Sequence, residues 1–490
     1  MGWFERLLIN TAEPLLQRKA ASFASGQQRG VRLGNLSPLS GGRILKNFVL
    51  NDHDRVRHQW LCGGSGSGKS TFLLNQCLQD FVNGQAFALV DPHDLTAKFL
   101  RLLTDLVAKG KIPESRLRKI ILIDPSRYDW TTAFNPLAAD NPNEAFRHAI
   151  MMLGILKRVW PDVSWGARTE ELARNLLILL AERQLCLTAA GKVLHDTNQL
   201  RTQAEKLTNQ ESRSYWLDRY LNLSPSMRSV CSEPVMNKLT VFLSDPRIRS
   251  MFDQSKSDFN FRMAMDQGYT VLVDLNRGQL QDSVPLLASL FLLAIQKAAF
   301  SRTDTPQGQR RRWFVIVDEF TSFAPTSTLE PLLNEGRKFG IGLTLANQTT
   351  AAIDRQLLDS LRANCLTQMF FRLSPEDARL ATAALPGELR ELTHREIASL
   401  PVGAAALFQG GNYLGRLKIE NVTAPDSISP VSSRLIDKIR RQVGRPPIHK
   451  SVIPEKSETA IAVKTDKQSE TGKTVPVEGK EPWELLGDVP

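Results

Sequence analysis

The sequence predicts an α/β protein built on a mainly parallel sheet, with an all-helical insertion between two of its strands. Three observations support this fold class. Short apolar runs recur along the chain, each followed by a turn or a helical pattern, as in parallel sheets covered on both faces. Helical spacing replaces these runs over residues 143–261. A glycine-rich loop stands between the first such run and a helical pattern.

Eight runs have the length and the apolar or β-branched composition of buried strands. An aspartate ends four of these runs or follows them directly, namely Asp91, Asp124, Asp274 and Asp318. Ligands bind at the carboxyl ends of the strands in an open α/β sheet, so these acids indicate a site. Upstream, residues 32–58 are typical of a small β-element leading into the sheet. The eight predicted strands are Trp60–Cys62, Ala86–Val90, Lys119–Ile123, Tyr269–Asp274, Trp313–Val317, Gly342–Ala346, Thr367–Leu373 and Ala404–Phe408.

Helical patterns dominate the middle of the chain and return near its end. Thr169–Gln184 has clear helical spacing, and strand signals are few around it, which predicts an all-α insertion. Val431–Val443 is typical of a basic amphipathic helix, and the composition from Gly444 onward predicts disorder. The predicted divisions are an amphipathic N-terminal helix at 1–31, the first part of the α/β core at 32–142, the insertion at 143–261, the second part of the core at 262–423, and the basic helix with a disordered, acidic-tipped tail at 424–490.

The charge of the chain is unevenly distributed. Lys and Arg exceed Asp and Glu by 11, but residues 451–490 hold five lysines and eight acids, so the remainder carries +14. A basic body fits a polyanionic partner, either nucleic acid or an anionic membrane surface. Charge alone does not choose between them, or exclude a basic surface that binds neither. The acidic tail would be repelled by DNA and therefore fits a protein partner.

Composition and hydropathy predict a cytoplasmic protein. Five scattered cysteines without a CxxC pair argue against a disulfide framework and a thiolate zinc site. No run reaches the roughly 18 apolar residues of a membrane span. Val284–Phe300 comes nearest, but it is interrupted by Gln296 and Lys297, so a buried helix is predicted there. We therefore expect no integral membrane span, and contact with the inner membrane only through the N-terminal helix.

The sharpest motif is the glycine-rich loop, which matches GxxxxGK[ST], follows an apolar strand and opens a helix. Glycines let backbone amides surround phosphates, and the helix N-terminus adds favourable partial charge. We expect Lys69 to neutralise the β- and γ-phosphate oxygens and Ser70 to bind Mg²⁺, with ATP as the nucleotide. The predicted nucleotide-binding residues are Gly63, Gly64, Ser65, Gly66, Ser67, Gly68, Lys69, Ser70 and Thr71.

A second acidic strand end supplies the other half of such a site. Arg310–Phe320 reads as a basic lead-in, an apolar strand and then Asp318 and Glu319. We expect Asp318 to hold Mg²⁺ and Glu319 to act as general base toward water, which favours ATP hydrolysis over a kinase or GTPase role. Such acid pairs also cap helices, and only the pairing with the glycine-rich loop favours catalysis.

Two further side chains are candidates for catalysis. Gln348 follows an apolar strand and is placed to sense a γ-phosphate or orient water, although it could also only satisfy backbone groups there. Arg337 precedes the same strand. An arginine supplied across a subunit boundary stabilises transition-state charge, and a solvated surface residue is the equal alternative.

The ordered set of motifs resembles the HerA/FtsK superfamily of P-loop ATPases, and especially the conjugative type IV coupling proteins of the TraG/TraD kind. The resemblance extends from about residue 42 to about residue 420. By this resemblance Arg337 is the arginine donated to a neighbouring subunit and Gln348 is the strand-end sensor. The motifs are His58, GGSGSGKST at Gly63–Thr71, DPHD at Asp91–Asp94, FNPL at Phe134–Leu137, VDLNRG at Val273–Gly278, VDEF at Val317–Phe320, EGRKFGIGLTLANQ at Glu335–Gln348 and FFRLSPEDA at Phe370–Ala378.

The resemblance implies a RecA-like motor assembled as a ring, with DNA in its pore and no sequence readout. Coupling proteins usually begin with membrane-spanning helices and HerA-type enzymes with a β-barrel, and neither is expected here. The function predicted is a hexameric, ATP-hydrolysing DNA translocase of conjugative transfer, with Arg277 and Thr321–Thr328 as candidate pore loops. The alternatives are a HerA-like ATPase of DNA processing or phage defence, and an ATP-gated platform that recruits proteins for secretion. A relaxase, a secretion channel or an effector could bind the helical insertion or the tail.

Overall fold

The computed structural model describes residues 30–39, 43–160, 165–323, 326–383 and 385–447. The predicted N-terminal helix lies outside the described residues, except that residues 30 and 31 belong to the first strand. The predicted acidic tail from residue 448 onward also lies outside them.

The described residues form one eleven-stranded sheet with the order β2-β1-β11-β10-β9-β3-β8-β7-β4-β6-β5. The strands from β9 to β5 in this order are parallel, and the remaining four are added antiparallel. The strands are β1 Gly30–Pro38, β2 Leu45–Asn51, β3 Gln59–Cys62, β4 Phe87–Asp91, β5 Ile120–Ile123, β6 Thr270–Asp274, β7 Trp313–Val317, β8 Ile341–Asn347, β9 Thr367–Phe370, β10 Ala404–Gln409 and β11 Asn412–Ile419.

The mainly parallel α/β fold is confirmed, with two corrections at one end of the sheet. The predicted strand Ala404–Phe408 runs antiparallel to its neighbours, and the β-element of residues 32–58 extends the same sheet as the β1–β2 hairpin. Strand β11 was not predicted, because Arg416 and Lys418 interrupt its apolar pattern. Burial alternates only in the second half of this strand, where Arg416 and Lys418 are exposed and Leu417 and Ile419 pack on the core.

Helices cover the sheet and fill the segment between β5 and β6. They are α1 Asp52–Arg55, α2 Lys69–Val82, α3 Leu95–Ala108, α4 Pro142–Val159, α5 Ala167–Glu182, α6 Ala190–His195, α7 Thr197–Ala204, α8 Gln210–Ser214, α9 Pro225–Leu243, α10 Pro246–Phe252, α11 Phe261–Gln267, α12 Arg277–Leu280, α13 Val284–Phe300, α14 Thr326–Glu335, α15 Arg355–Asn364, α16 Pro375–Ala381, α17 Gly387–Ser399 and α18 Pro430–Arg440.

The helical segment shares its hydrophobic core with one face of the sheet. Phe134, of the FNPL motif, stacks on Phe291 of α13 with ring centroids 4.8 Å apart and on Phe259 at 5.7 Å. The Asn135 side chain donates to Ser255 O at 2.9 Å. This motif therefore joins the sheet to the helices by packing and has no place in the nucleotide cavity. The division of the chain at residues 143 and 261 stays a prediction.

Helix α13 is a core element. By length and composition alone, one described helical stretch, Arg277–Asp304, could cross a membrane, but 67% of its most apolar window is buried inside the protein. Helix α13 within it packs against α4, α11 and α14. Burial in a protein core accounts for its apolar composition.

The C-terminal helix α18 packs against α3 and β5, with Leu435 and Ile439 buried. The chain then pairs with Thr131, since Thr131 N donates to Arg445 O at 2.9 Å and Arg445 N to Thr131 O at 2.8 Å. The residues immediately after Gly444 are thus held by a β-bridge, although the composition predicted disorder from that glycine onward.

Candidate nucleotide-binding site

The glycine-rich loop connects β3 to α2, which begins at Lys69. Gly66 and Gly68 have left-handed backbones, with φ of 70° and 110°, which favour glycine. A Cβ on Gly68 would lie 3.1 Å from the backbone of Gly403, and one on Gly63 would lie 2.5 Å from Phe371 Cβ. Close backbone approach on both sides therefore requires glycine and forms a cradle of amides at the helix N-terminus.

A cavity of about 460 Å³ opens on this loop. It is lined by all the predicted loop residues except Gly63, and by Asp318, Glu319 and Gln348. Four other lining residues were not predicted to belong to the site. Asp94 and His93 belong to the DPHD motif after β4, a neighbour of β7, so that motif was an available signal. No sequence motif pointed to Val402 or Lys98. The four unassigned residues are His93, Asp94, Lys98 and Val402.

Lys69 is buried against the loop itself. Its ammonium donates to the carbonyl oxygens of Gly63 and Gly64, the latter at 3.4 Å. Burial lowers the pKa of Lys69, and the nearby Asp318 and Glu319 oppose this shift. A lysine held here places its charge at the mouth of the amide cradle, where phosphate oxygens would lie.

Asp318 is a buried carboxyl directly after β7. Burial raises its pKa to about 6, Asp91 adds to the increase, and Lys69 opposes it. Asp91 has a structural role, because its carboxylate accepts from His93 N at 2.9 Å and Thr96 N at 2.6 Å at the start of α3. Asp318 is therefore the acid of this pair that remains available to a ligand in the cavity.

Glu319 has a left-handed backbone, with φ of 50°, which is unusual for a side chain with a Cβ and recurs at functional sites. Its amide donates to Asp318 Oδ1 at 3.0 Å, and its carboxylate accepts from Thr321 Oγ1 at 3.1 Å. The turn thus directs both carboxyl groups to the same cavity.

Gln348 lies between the loop and the acids because β8 lies between β3 and β7 in the sheet. Its exposed side chain follows β8 directly. The next two residues are held by Asp377, whose carboxylate accepts from Thr349 Oγ1 at 2.9 Å and Thr350 N at 2.9 Å. Ser374 Oγ donates to the same carboxylate at 3.1 Å. Asp377, from the FFRLSPEDA motif, was not assigned a role from sequence.

Arg337 lies away from this cavity. It is exposed in the short turn Gly336–Phe339, which precedes β8, whereas Gln348 follows β8. A strand of this length spans roughly 20 Å. The structure therefore brings together every predicted catalytic residue except Arg337, which cannot serve the cavity of its own chain.

The oxygen donors of the cavity suit Mg²⁺. Ser70 and Asp318 supply a hydroxyl and a carboxylate to the lining of the same cavity, and Mg²⁺ binds through one or two such protein oxygens with waters and phosphates completing its shell. Within the described residues no cluster of three or more His, Cys, Asp or Glu side chains could hold a metal by itself. This donor set fits a metal that arrives with a nucleotide.

Comparison with known proteins identifies the family. A family model described as the type IV secretion-system coupling protein DNA-binding domain matches residues 158–433, more than half of the chain. The chain belongs to this family. The resemblance to coupling proteins is confirmed, and the matched residues include Asp318, Glu319, Arg337 and Gln348.

Solved structures of the coupling protein TrwB and of VirB4 have the same fold. Plasmid coupling protein TrwB in complex with ADP and Mg²⁺ is 19% identical, with a TM-score of 0.54 over 79% of this chain and 89% of that chain. TrwB with the GTP analogue GDPNP is 19% identical, with a TM-score of 0.52 over 78% and 90%. VirB4 of Thermoanaerobacter pseudethanolicus is 13% identical, with a TM-score of 0.51 over 82% and 98%. A search of curated proteins found no match. The RecA-like fold of this coupling protein is confirmed.

Proposed function

We propose that this coupling protein is a ring-forming ATPase that translocates DNA in conjugative transfer. One observation carries the proposal: the loop, the two acids and Gln348 converge on one cavity, while Arg337 lies at the other end of β8. A complete hydrolytic site would then need Arg337 from a neighbouring subunit. A hexamer with a site at each subunit boundary satisfies this requirement, and the family match favours secretion over the DNA-processing alternative.

ATP would bind with its β- and γ-phosphates in the amide cradle, and Lys69 would turn from the loop carbonyls to the phosphate oxygens. Mg²⁺, when bound, neutralises phosphate charge, and Ser70 and Asp318 would hold it. The TrwB structures with ADP and Mg²⁺ and with GDPNP support a nucleotide and a magnesium ion here. Val402, which is 66% exposed at the cavity, offers an apolar contact to a base.

Glu319 would act as general base. It would accept a proton from the water that attacks the γ-phosphorus, the bond to the β-phosphate oxygen would break, and ADP and phosphate would leave. Gln348 would hydrogen-bond that water or the γ-phosphate. Arg337 of the adjacent subunit would stabilise the charge on the transferred group. Each turnover would thus require contact between two subunits.

DNA is the proposed substrate of the motor. The matching family model is described as a DNA-binding domain, and the +14 body suits a phosphate backbone read without base contacts. Exposed Arg277, after β6, remains a candidate pore contact. A relaxase, a channel component or an effector is the proposed protein partner of the helical insertion or the tail, at the cytoplasmic side of the inner membrane.

DNA-stimulated ATP hydrolysis tests the motor. We expect turnover to rise when long DNA is added and the stimulation to weaken as salt increases. Equal turnover with and without DNA, together with no DNA binding at low salt, would contradict the motor and favour an ATP-gated protein platform.

Three substitutions test the site. Lys69→Ala should weaken nucleotide binding, whereas Glu319→Gln should bind nucleotide but not turn over. Arg337→Ala should be inactive alone and regain turnover when mixed with Lys69→Ala, because an intact cavity then meets an intact arginine. Full hydrolysis by Glu319→Gln would remove its general-base role, and no gain on mixing would give Arg337 a structural role.

A further inference from the structure

His58 is a buried histidine directly before β3, the strand that leads into the nucleotide loop. Its backbone is left-handed, with φ of 63°. Its ring makes a hydrogen bond with each nitrogen: Leu343 N donates to Nδ1 at 3.0 Å, and Nε2 lies 3.1 Å from Leu333 O. Because Nδ1 accepts, the neutral ring carries its proton on Nε2 and donates it to Leu333 O.

These two bonds join three elements of the site. Leu333 lies in the last turn of α14, and Leu343 lies in β8. Gly336 begins the turn that carries Arg337, and it is buried against the same ring, since a Cβ placed on Gly336 would lie 3.6 Å from His58 Cε1. The ring thus contacts the chain on the N-terminal side of Arg337.

The other side of the turn is held separately. Arg310 donates to Lys338 O at 2.6 Å, and Arg302 donates to Phe339 O at 2.7 Å. The surface pair of Lys338 with Glu335 is exposed and 3.8 Å long, so it contributes little. His58 anchors the residues that enter the turn, together with Asn364, whose Nδ2 donates to Asn334 Oδ1 at 2.9 Å.

The ring stays neutral under ordinary conditions. Burial lowers the pKa of His58 to about 4; the hydrogen bond with Leu333 O opposes this shift, and the charge of Arg337 contributes to it. Both ring hydrogen bonds therefore persist at neutral pH, and this histidine serves as a fixed connector.

We propose that His58 is a positioning residue that holds the turn Gly336–Phe339 so that Arg337 faces the nucleotide of the adjacent subunit. The inference rests on the proposed role of Arg337 in that neighbour. It places His58 in the donor half of the site, although His58 directly precedes the strand of its own nucleotide loop.

His58→Asn is the variant that tests this role. Asparagine tolerates a left-handed backbone, and its Oδ1 can accept from Leu343 N as Nδ1 does, but its side chain ends before Leu333 O. We expect unchanged nucleotide binding and a DNA-stimulated turnover lowered at least tenfold. His58→Gln, whose amide reaches further and can donate to Leu333 O, should recover part of the turnover.

Mixed assemblies decide which half of the site is affected. If His58 acts through Arg337, His58→Asn should gain turnover when mixed with Lys69→Ala, which supplies an intact arginine, and should gain none with Arg337→Ala. If His58 instead shapes its own cavity, the pattern reverses, and the inference is overturned. Gain with both partners or with neither also overturns it.

Controls separate this inference from the function on which it rests. His148→Asn is the matched control, because it removes a histidine contact with a backbone carbonyl, Ala138 O at 2.8 Å, in the helical segment, and it should keep full turnover. If Arg337→Ala is fully active, the proposed function fails. If Arg337→Ala is inactive while His58→Asn turns over normally, only the role of His58 fails. Thermal unfolding of each variant checks that it is folded.

Discussion

Removal of the Asp377 carboxylate should impair Gln348 without touching the nucleotide. Asp377 holds the two residues that follow Gln348 through Thr349 Oγ1 and both the amide and the hydroxyl of Thr350. Asp377→Ala deletes this clamp. Asp377→Asn keeps an oxygen that can accept from the Thr350 amide. The two variants therefore remove all or only part of the hydrogen bonding of Asp377.

The expected loss of stability follows from which donors can find another partner. The hydroxyls of Thr349 and Ser374 can rotate, but the Thr350 amide is fixed and its residue is 2% exposed. A lost bond to a charged acceptor and an unsatisfied buried amide each contribute about 1–3 kcal/mol. Because such terms do not add fully, we expect about 3 kcal/mol for Asp377→Ala and about 1 kcal/mol for Asp377→Asn.

Denaturant unfolding and steady-state ATP hydrolysis measure the two effects. Asp377→Ala should lower kcat at least tenfold and leave the KM for ATP nearly unchanged, because Gln348 would act on water and the γ-phosphate after binding. Asp359→Asn is the control, since Asp359 is exposed on α15 and its ion pair with Arg362 is long, at 3.8 Å. A destabilised Asp377→Ala protein with normal kcat would show that the clamp does not position Gln348.

Three further substitutions test residues in and around the site. Arg55→Ala should destabilise the protein by about 3–5 kcal/mol in urea unfolding, because fully buried Arg55 bonds Asp80 twice at 2.6 Å; a loss under 1 kcal/mol would contradict this. Gly68→Ala should weaken ATP binding in a fluorescent-nucleotide titration, because its φ of 110° and the close Gly403 backbone exclude a Cβ; unchanged affinity would refute the reasoning. Burial, with Asp124 and Asp91 adding, raises the pKa of Asp274 from 3.8 to about 8. The folded state then binds more protons than the unfolded state across that range, so stability should fall as pH rises to about 8, and Asp274→Asn should flatten this slope in unfolding curves from pH 5 to 8.

The sequence predicted those parts of the site that lie in continuous segments. Phosphate binding needs small residues, a lysine and a hydroxyl at fixed spacing, so the motif at Gly63–Thr71 could be recognised without knowledge of the tertiary structure. Asp318 and Glu319 could be predicted from the sequence because an apolar strand precedes them directly. All eight predicted strands are present, because strands buried on both faces have few polar interruptions.

The tertiary structure decided how these segments meet. The order β3-β8-β7 places Gln348 between the loop and the acids, and no local pattern encodes which strands are neighbours. β11 was missed because the exposed Arg416 and Lys418 interrupt its buried residues. Asp377 and Val402 gain their positions from packing between distant segments.

By itself, the sequence predicted the chemistry proposed for this coupling protein: the phosphate cradle, the acids and the basic body. Only the tertiary structure decided that Arg337 lies at the opposite end of β8 from the cavity, and that His58 joins α14 to β8. The physical reason is that phosphate binding is a property of a few consecutive residues, whereas the direction in which a side chain points depends on hydrogen bonds between segments far apart in the chain.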